Sequence, residues 1–442
     1  MKVLLVGGGG REAALAWALG RSPLLTALAC APGNAGIERH ARRVPIAAEN
    51  VESLVRHAIA EAYDLVVIGP EAPLVSGLAD RLREAGLDTF GPSAAAALIE
   101  GSKAFSKEFM ARHAIPTAAF RIFDDAAEAS RYLRSRNLAY PLVVKADGLA
   151  AGKGVVIAPD AGSAVGTATH MLSGDAFGDA GRRIVVEEML HGRETSFFVL
   201  ADGISSVELA PCQDYKRAED ADRGPNTGGM GTCSPSAWLD DATKRTLDET
   251  VVVPTVRGLA REGRPFRGVL FIGVILTETG PKVLEYNARF GDPETQVLVP
   301  RLDGDWLPVL RACARGELSG VSLRWRDEAA VCVVMTSEGY PGAYTKGVAI
   351  EGVDDAEKLA DVIVFHAGTE RDATGRLVTA GGRVLGVTAI GRDLAAARDR
   401  AYEAVARVRW TGEHHRSDIA ADAIAKAGRA SRSKARGAAS PS

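Results

Sequence analysis

The chain predicts a multidomain α/β protein. Three observations carry this. At roughly 150 residues per domain, 442 residues make about three domains. Apolar residues make up 46% and charged residues 25%, enough to bury several cores and unlike a disordered chain. Short apolar runs alternate with helical spacing near the start, which argues for a parallel sheet with crossover helices. The 53 Lys and Arg against 56 Asp and Glu leave a net charge of −3, which gives no whole-protein case for nucleic acid. No apolar run approaches the roughly 20 residues that span a bilayer. The start, MKVLLVGGGG, is too short for a signal peptide's apolar region. Cys30, Cys212, Cys233, Cys313 and Cys332 are scattered without CxxC spacing, as in a reducing compartment, so a cytoplasmic location is expected.

In chain order, Val3–Val6 reads as a strand, four glycines follow, and a helix is expected near Glu12–Leu19. Helical spacing around Ser53–Ala62 precedes a strand at Leu65–Ile68, which ends at Gly69-Pro70-Glu71. Ligands of such sheets sit beyond the carboxyl ends of the strands, so the loops after Val6 and Ile68 are candidate site loops. Further strands are expected at Leu142–Lys145, Gly154–Ala158, Ile184–Glu187, Gly268–Leu276 and Pro281–Asn287. The last region carries strands near Ala330–Met335, Asp361–His366 and Arg383–Thr388, and a helix at Leu394–Val408. The stretch from Gly428 holds Arg429, Arg432, Lys434 and Arg436, no acids and no large apolar residues, and is expected to be disordered.

Three segments carry chemistry. Gly8-x-Gly10-x-x-Ala13 fits the dinucleotide fingerprint in form. The second strand, expected at Thr26–Cys30, ends without the acid that would hold a ribose hydroxyl, which argues against NAD or FAD. Backbone amides at a helix N-terminus still suit a phosphate, and a tight turn without ligand remains open. Lys145-Ala-Asp-Gly-Leu-Ala-Ala-Gly-Lys153-Gly-Val is a near miss to a P-loop, flanked by strands on both sides. It reads as a glycine-rich hairpin whose amides and lysines suit phosphates, or as a solvated hairpin. Glu285 and Asn287 stand two apart on one strand, so they share a face, and their oxygens suit Mg²⁺ unless this is an ordinary surface strand.

Taken together and in order, the motifs are specific. They are Ala31-Pro-Gly-Asn-Ala-Gly36, Gly69-Pro-Glu-Ala-Pro-Leu74, Gly101-Ser-Lys-Ala-Phe105, the Lys145–Val155 loop, Gly178-Asp-Ala-Gly181 and Val186-Glu-Glu188. Gly224-Pro-Asn-Thr-Gly-Gly-Met-Gly231, Arg289-Phe-Gly-Asp-Pro-Glu294, Phe365-His-Ala-Gly-Thr369 and Gly381-Gly-Arg-Val-Leu385 complete the set. Over nearly its full length the sequence resembles the phosphoribosylamine–glycine ligases (glycinamide ribonucleotide synthetases), ATP-grasp enzymes of purine biosynthesis. That resemblance implies a Rossmann-like N-terminal domain over 1–102 and an ATP-grasp first part with its lid over 103–191. A central ATP-grasp domain with the metal site would cover 192–326, an α+β C-terminal domain 327–427, and the tail 428–442. A monomer is implied, acting on small molecules with neither nucleic acid nor membrane.

The resemblance also implies roles. Lys103 and Lys145 would contact ATP phosphates under the Gly152-Lys153-Gly154 loop. Glu187, Glu188 and Leu190 would form the hinge against adenine, mainly through backbone groups, and Glu194 would hold the ribose. Glu285 and Asn287 would ligate Mg²⁺ or Mn²⁺. Gly9, Gly10, Arg11, Glu12, Asn34, Glu71, Asp214, Lys216, Asn226, Thr227, Gly228, Gly229, Met230, Arg289, Gly291, Asp292, Pro293 and Glu294 would surround phosphoribosylamine and glycine. Lys145, Asp214 and Arg289 would carry the chemistry. A carboxylate is a poor acyl donor, so ATP would convert glycine to glycyl phosphate, which the amine attacks. Two residues depart from the family pattern in substrate loops. Ala13 stands where the family has His in Gly-x-Gly-Gly-Arg-Glu-His, and Tyr215 where it has His in Asp-His-Lys-Arg. A third departure is His414-His415 before Arg416-Ser-Asp-Ile419. Losing two imidazoles is expected to reshape amine binding. A paralogous carboxylate–amine ligase with a changed amine or amino acid is the alternative, and a nucleotide-binding protein without ligase activity is a third reading.

Overall fold

The first domain is a parallel sheet with neighbours in the order Arg42–Arg43, Ala27–Pro32, Lys2–Gly7, Leu65–Ile68 and Asp88–Phe90. This computed structural model describes residues 1–148, 154–174 and 181–438, with side chains to Arg429. Lys2–Gly7 lies in the middle, and Val3–Val6 are fully buried, as an apolar run covered on both faces requires. The chain leaves Lys2–Gly7 to one side for Ala27–Pro32 and returns on the other side at Leu65–Ile68. The site loops therefore sit at a switch in strand order. The expected helices run Gly10–Leu19 and Val51–Ala60.

A small antiparallel sheet follows, ordered Phe120–Phe123, Ile184–Glu188, Leu142–Ala146 and Val155–Ala158. Its helices Ala126–Leu133 and Ala161–Leu172 give it a core of its own, with Phe123, Leu133, Val144 and Met171 inside. A second antiparallel sheet holds Ser206–Glu208, Arg193–Asp202, Arg267–Thr277 and Gly280–Asn287. One face of it shares a continuous core with the N-terminal sheet, through Phe197, Leu270 and Ile272 on one side and Leu4, Val66 and Ile68 on the other. The two sheets thus form one platform under the site.

Two expectations need correction. Sheet pairing crosses the boundary expected between 326 and 327. Gln213–Asp214 and Gly231–Ser234 join Ala329–Ser337, Arg383–Gly391 and Val362–His366 in the C-terminal sheet, because strand pairing is a long-range hydrogen-bond choice that local composition does not reveal. The last helix runs Ala421–Ala438, so most of the segment expected to be disordered is helical. Lack of large apolar residues argues against core burial, but Ala, Arg and Lys are strong helix formers. Residues 439–442 lie outside the described part. Among the described residues no helix is long and apolar enough to cross a membrane.

Candidate active site

The glycine loop after Lys2–Gly7 is shaped from beneath. Glu12, 1% exposed, folds back so that Oε2 accepts the Gly9 amide at 2.6 Å and Oε1 meets Arg11 Nε at 2.6 Å. A Cβ at Gly7 or Gly69 would strike this carboxylate, so both glycines serve close approach. Arg11 donates to the Phe290 carbonyl at 3.0 Å. Asn34 Nδ2 donates to the Gly8 and His366 carbonyls, and Oδ1 accepts from the Gly36 and Ile37 amides. All four hydrogen-bonding positions of this amide are occupied by backbone. Arg11, Glu12 and Asn34 were expected to surround substrate. The structure buries all three and bonds each within the fold, so they also support the loop. Gly9 and Gly10 line the loop beside the Asp292 carboxylate.

One end of the cleft is built where helix Lys103–Arg112 docks on Asp147, just past strand Leu142–Ala146. Ser102 caps the helix, accepting the Phe105 amide and donating to Asp147 Oδ1 at 2.8 Å. This places Lys103 at the first turn, with Nζ donating to the Gly148 carbonyl at 3.0 Å. Burial lowers its pKa, against the pull of Glu285. Gly152 and Lys153 lie outside the described residues. Gly154 is placed, its carbonyl accepting the Ala146 amide. Lys145 Nζ is 2.8 Å from Glu187 Oε1, and Lys107 Nζ is 2.9 Å from Glu187 Oε2. Glu187 was expected to act mainly through its backbone. Its side chain instead sits between two ammonium groups, and sequence reasoning missed Lys107, whose only local signal is a lysine facing the interior of its helix. Glu188 Oε1 accepts the Ala119 amide at 3.0 Å, and half-buried Leu190 follows this strand.

The opposite wall is acidic. Asp214 and Lys216 flank Tyr215, so alternation turns the first two one way and the tyrosine the other. Lys216 Nζ lies 3.6 Å from Glu285, 3.7 Å from Asp214 and 3.8 Å from Glu194. Burial would lower this lysine's pKa, but Asp214, Glu285 and Glu194 outweigh it and hold the ammonium charged. Glu285 likewise stays below the usual carboxylate range: burial would raise it, and Lys216, Lys145 and Lys103 overcome that. Ser196 Oγ donates to Asp214 at 3.2 Å and approaches Glu294 at 3.5 Å. Burial, with Asp214 nearby, pushes the Glu294 carboxyl up to about 7.

Arg289 spans the acids, with Nη2 at 3.1 Å from Glu100, Nε at 3.3 Å from Glu71, and Nη2 donating to Asn287 Oδ1 at 3.0 Å. Glu100 was missed although it immediately precedes the Gly101–Phe105 motif, because nothing local signals that this helix-end acid is buried against Arg289; burial raises it to about 7 despite Arg289. Arg383, also missed, reaches in from the C-terminal sheet. Its Nη1 donates to the Gly228 carbonyl at 2.6 Å, and Nη2 lies 3.3 Å from Asp292. Thr227 Oγ1 donates to the Lys216 carbonyl and accepts the Gly229 amide. Gly229, at φ +116°, packs on Pro293, and Gly291 on Glu294. Met230 is fully buried and offers only backbone, while Asn226 is exposed at the rim.

The two departures in the substrate loops are both buried. Tyr215 is 6% exposed in the C-terminal core and donates to Asp422 at 2.6 Å. Ala13 is 5% exposed in the apolar core and lines a crevice of about 200 Å³ with Trp17, Gly36, His40 and His366. Neither gives support to the expectation that they reshape amine binding: Tyr215 pairs with Asp422, and Ala13 is buried in the apolar core.

Glu285 and Asn287 fit a hard divalent cation. They are an ionised carboxylate and an amide oxygen on one strand face, and no cluster of three or more His, Cys, Asp or Glu suited to a metal occurs among the described residues.

Fold and site together define an ATP-grasp protein. Its similarity to a biotin carboxylase domain from Hydrogenobacter thermophilus, at TM-score 0.70 and 19% identity over 93% of this chain and 91% of that one, shows the same fold. Family models for phosphoribosylglycinamide synthetase match in sequence order: the N domain over 1–100, the ATP-grasp (A) domain over 101–295 and the C domain over 330–422. The chain belongs to the phosphoribosylglycinamide synthetase family. It is 52% identical to the phosphoribosylamine–glycine ligase of Rhizobium meliloti over 96% of this chain and 99% of that one. It is 52% identical to the Caulobacter vibrioides ligase over 95% and 97%. The crystal structure of the Thermotoga maritima ligase matches at TM-score 0.82 and 32% identity, covering 95% of this chain and all of that one.

Proposed function

We propose that this chain ligates glycine to 5-phosphoribosylamine with ATP, giving glycinamide ribonucleotide, ADP and phosphate. The observation that carries this is the convergence of Lys103, Lys145, Lys216 and Arg289 on one cleft with the oxygen pair Glu285 and Asn287, in a chain that matches the family from end to end. Lys103 and Lys145 neutralise phosphate oxygens beneath the Gly152–Gly154 loop. Glu187, Glu188 and Leu190 border adenine, and Glu194 faces the ribose. Mg²⁺ or Mn²⁺, held by Glu285 and Asn287, supplies charge neutralisation on the phosphates. The glycine carboxylate attacks the γ-phosphorus, releasing ADP and forming glycyl phosphate. The amine then attacks the acyl carbon, and phosphate leaves.

The chain's own residues position these groups. Gly9, Gly10 and the Asn226–Met230 loop present backbone to the phosphorylated amine, and Glu71, Asp214, Lys216 and Arg289 through Glu294 fix the remaining polar groups. Positioning and electrostatics suffice for phosphoryl and acyl transfer, so no protein nucleophile is required. The paralogue reading rested on Ala13, Tyr215 and His414-His415; burial of Ala13 and of Tyr215, the latter against Asp422, supports the ligase reading instead. ADP release should require glycine and phosphoribosylamine together; ADP release only with another amine or amino acid overturns the assignment.

A further inference from the structure

One carboxylate beneath the nucleotide cleft serves two lysines. Glu187 Oε2 lies 2.9 Å from Lys107 Nζ and Oε1 lies 2.8 Å from Lys145 Nζ. The side chains of Lys107 and Glu187 are each 3% exposed, while Lys145 is 11% exposed. Lys145 therefore has the more open side of the triad, and Lys107 is sealed behind it. Lys107 is also tied to the metal strand: Nζ donates to Thr117 Oγ1 at 2.7 Å, and that hydroxyl donates to the Val283 carbonyl at 2.6 Å, two residues before Glu285. Lys145 has only a long contact to that strand, at 3.4 Å from the Leu284 carbonyl.

We infer that Lys107 is a positioning residue for nucleotide binding: it stays as the counter-ion of Glu187 when Lys145 turns to the ATP phosphates. This rests on the proposed ATP-dependent reaction. An ammonium drawn to a phosphate shares its charge with that anion and holds Glu187 less firmly. With Lys107 in place, Lys145 leaves behind a paired carboxylate. Without it, Lys145 leaves a buried, unpaired carboxylate, which is strongly unfavourable. Burial holds the Lys107 ammonium down to about 8 against the pull of Glu187, in keeping with a sealed lysine whose charge depends on that one partner.

The test is calorimetric titration of the full chain with the magnesium complex of a non-hydrolysable ATP analogue, alongside steady-state kinetics. Lys107→Met should raise the analogue's Kd and the KM for ATP at least tenfold, with the KM for glycine within twofold of wild type. Adding Glu187→Gln to Lys107→Met should recover most of the lost affinity, because no buried charge is then abandoned. A purely structural lysine gives no such recovery. Lys107→Met binding within threefold of wild type, or a double variant as weak as the single one, overturns the inference. Should Lys107→Met fail to fold, Lys107→Gln decides: it can keep a bond to Thr117 without the charge, so a tenfold rise in the analogue's Kd supports the idea and a Kd within threefold of wild type overturns it. Wild-type binding of the analogue without glycine-dependent ADP release refutes the proposed function alone; no wild-type binding overturns both.

Discussion

Replacing Asn34 by alanine tests whether this residue builds the glycine loop or touches substrate. The substitution removes hydrogen bonds to four backbone groups, the Gly8 and His366 carbonyls and the Gly36 and Ile37 amides, at a position only 2% exposed. At about 1 kcal/mol net for each bond, with some recovery by water, the loss should be about 2–4 kcal/mol. Urea unfolding followed by tryptophan fluorescence reads it, since Trp17 stacks edge-on against Phe365 at 6.1 Å across the same domain junction. Asn34→Asp sharpens the test. It keeps both acceptors but turns two donors into a carboxylate facing two carbonyls, so it should destabilise at least as much as alanine. Asn34→Ala within about 0.5 kcal/mol of wild type, or a well-tolerated Asn34→Asp, refutes the architectural role.

Other expectations follow from the same geometry. Ala13→His should leave the KM for phosphoribosylamine within twofold of wild type, because Ala13 borders the crevice beside His366; a lowered KM in steady-state assays returns this position to the substrate site. Tyr215→Phe removes the bond to Asp422 and should lower stability by about 1–3 kcal/mol in denaturant melts, with KM values unchanged. Lys216→Met leaves Asp214, Glu285 and Glu194 to repel one another and should cut kcat at least ~100-fold in the ADP-release assay. Burial raises Glu100 to about 7, above the usual carboxylate range, so the folded state binds the extra proton between pH ~4.5 and ~7. Its contribution to stability is present at low pH and is lost as pH rises through about 7, at no more than ~1.4 kcal/mol per pH unit. Glu100→Gln should flatten that slope in melts across pH 5 to 8, and an unchanged slope sinks the account.

Much of the fold could be read directly from local pattern. Leu65–Ile68 occurs as expected, and Val3–Val6 and Pro281–Asn287 lie within strands one or two residues longer. Each is a short apolar or alternating run bounded by glycine, proline or polar residues, a signal that local physics carries. Glu285 and Asn287 share a face because a strand has period two, whatever surrounds it. The residues missed have no such signal. Lys107 and Glu100 are charged groups buried inside helices, and only a partner from another element makes that burial tolerable. Arg383 reaches Asp292 across a separation of 91 residues.

The sequence by itself determined the α/β class and the family, and it placed Glu285 and Asn287 on one strand face. Such features depend on neighbours a few residues apart, or on ordered motifs along the whole chain. Only the tertiary structure decided which charges meet: that Glu187 serves two lysines, that Lys216 stands among three carboxylates, and that Arg11, Glu12 and Asn34 hold the loop from beneath. It also decided that Ala13 is buried in the apolar core and that Tyr215 pairs with Asp422. The direction of a side chain in a loop or on a helix depends on what packs against it. Those partners come from distant parts of the chain, brought together by burial of the shared core.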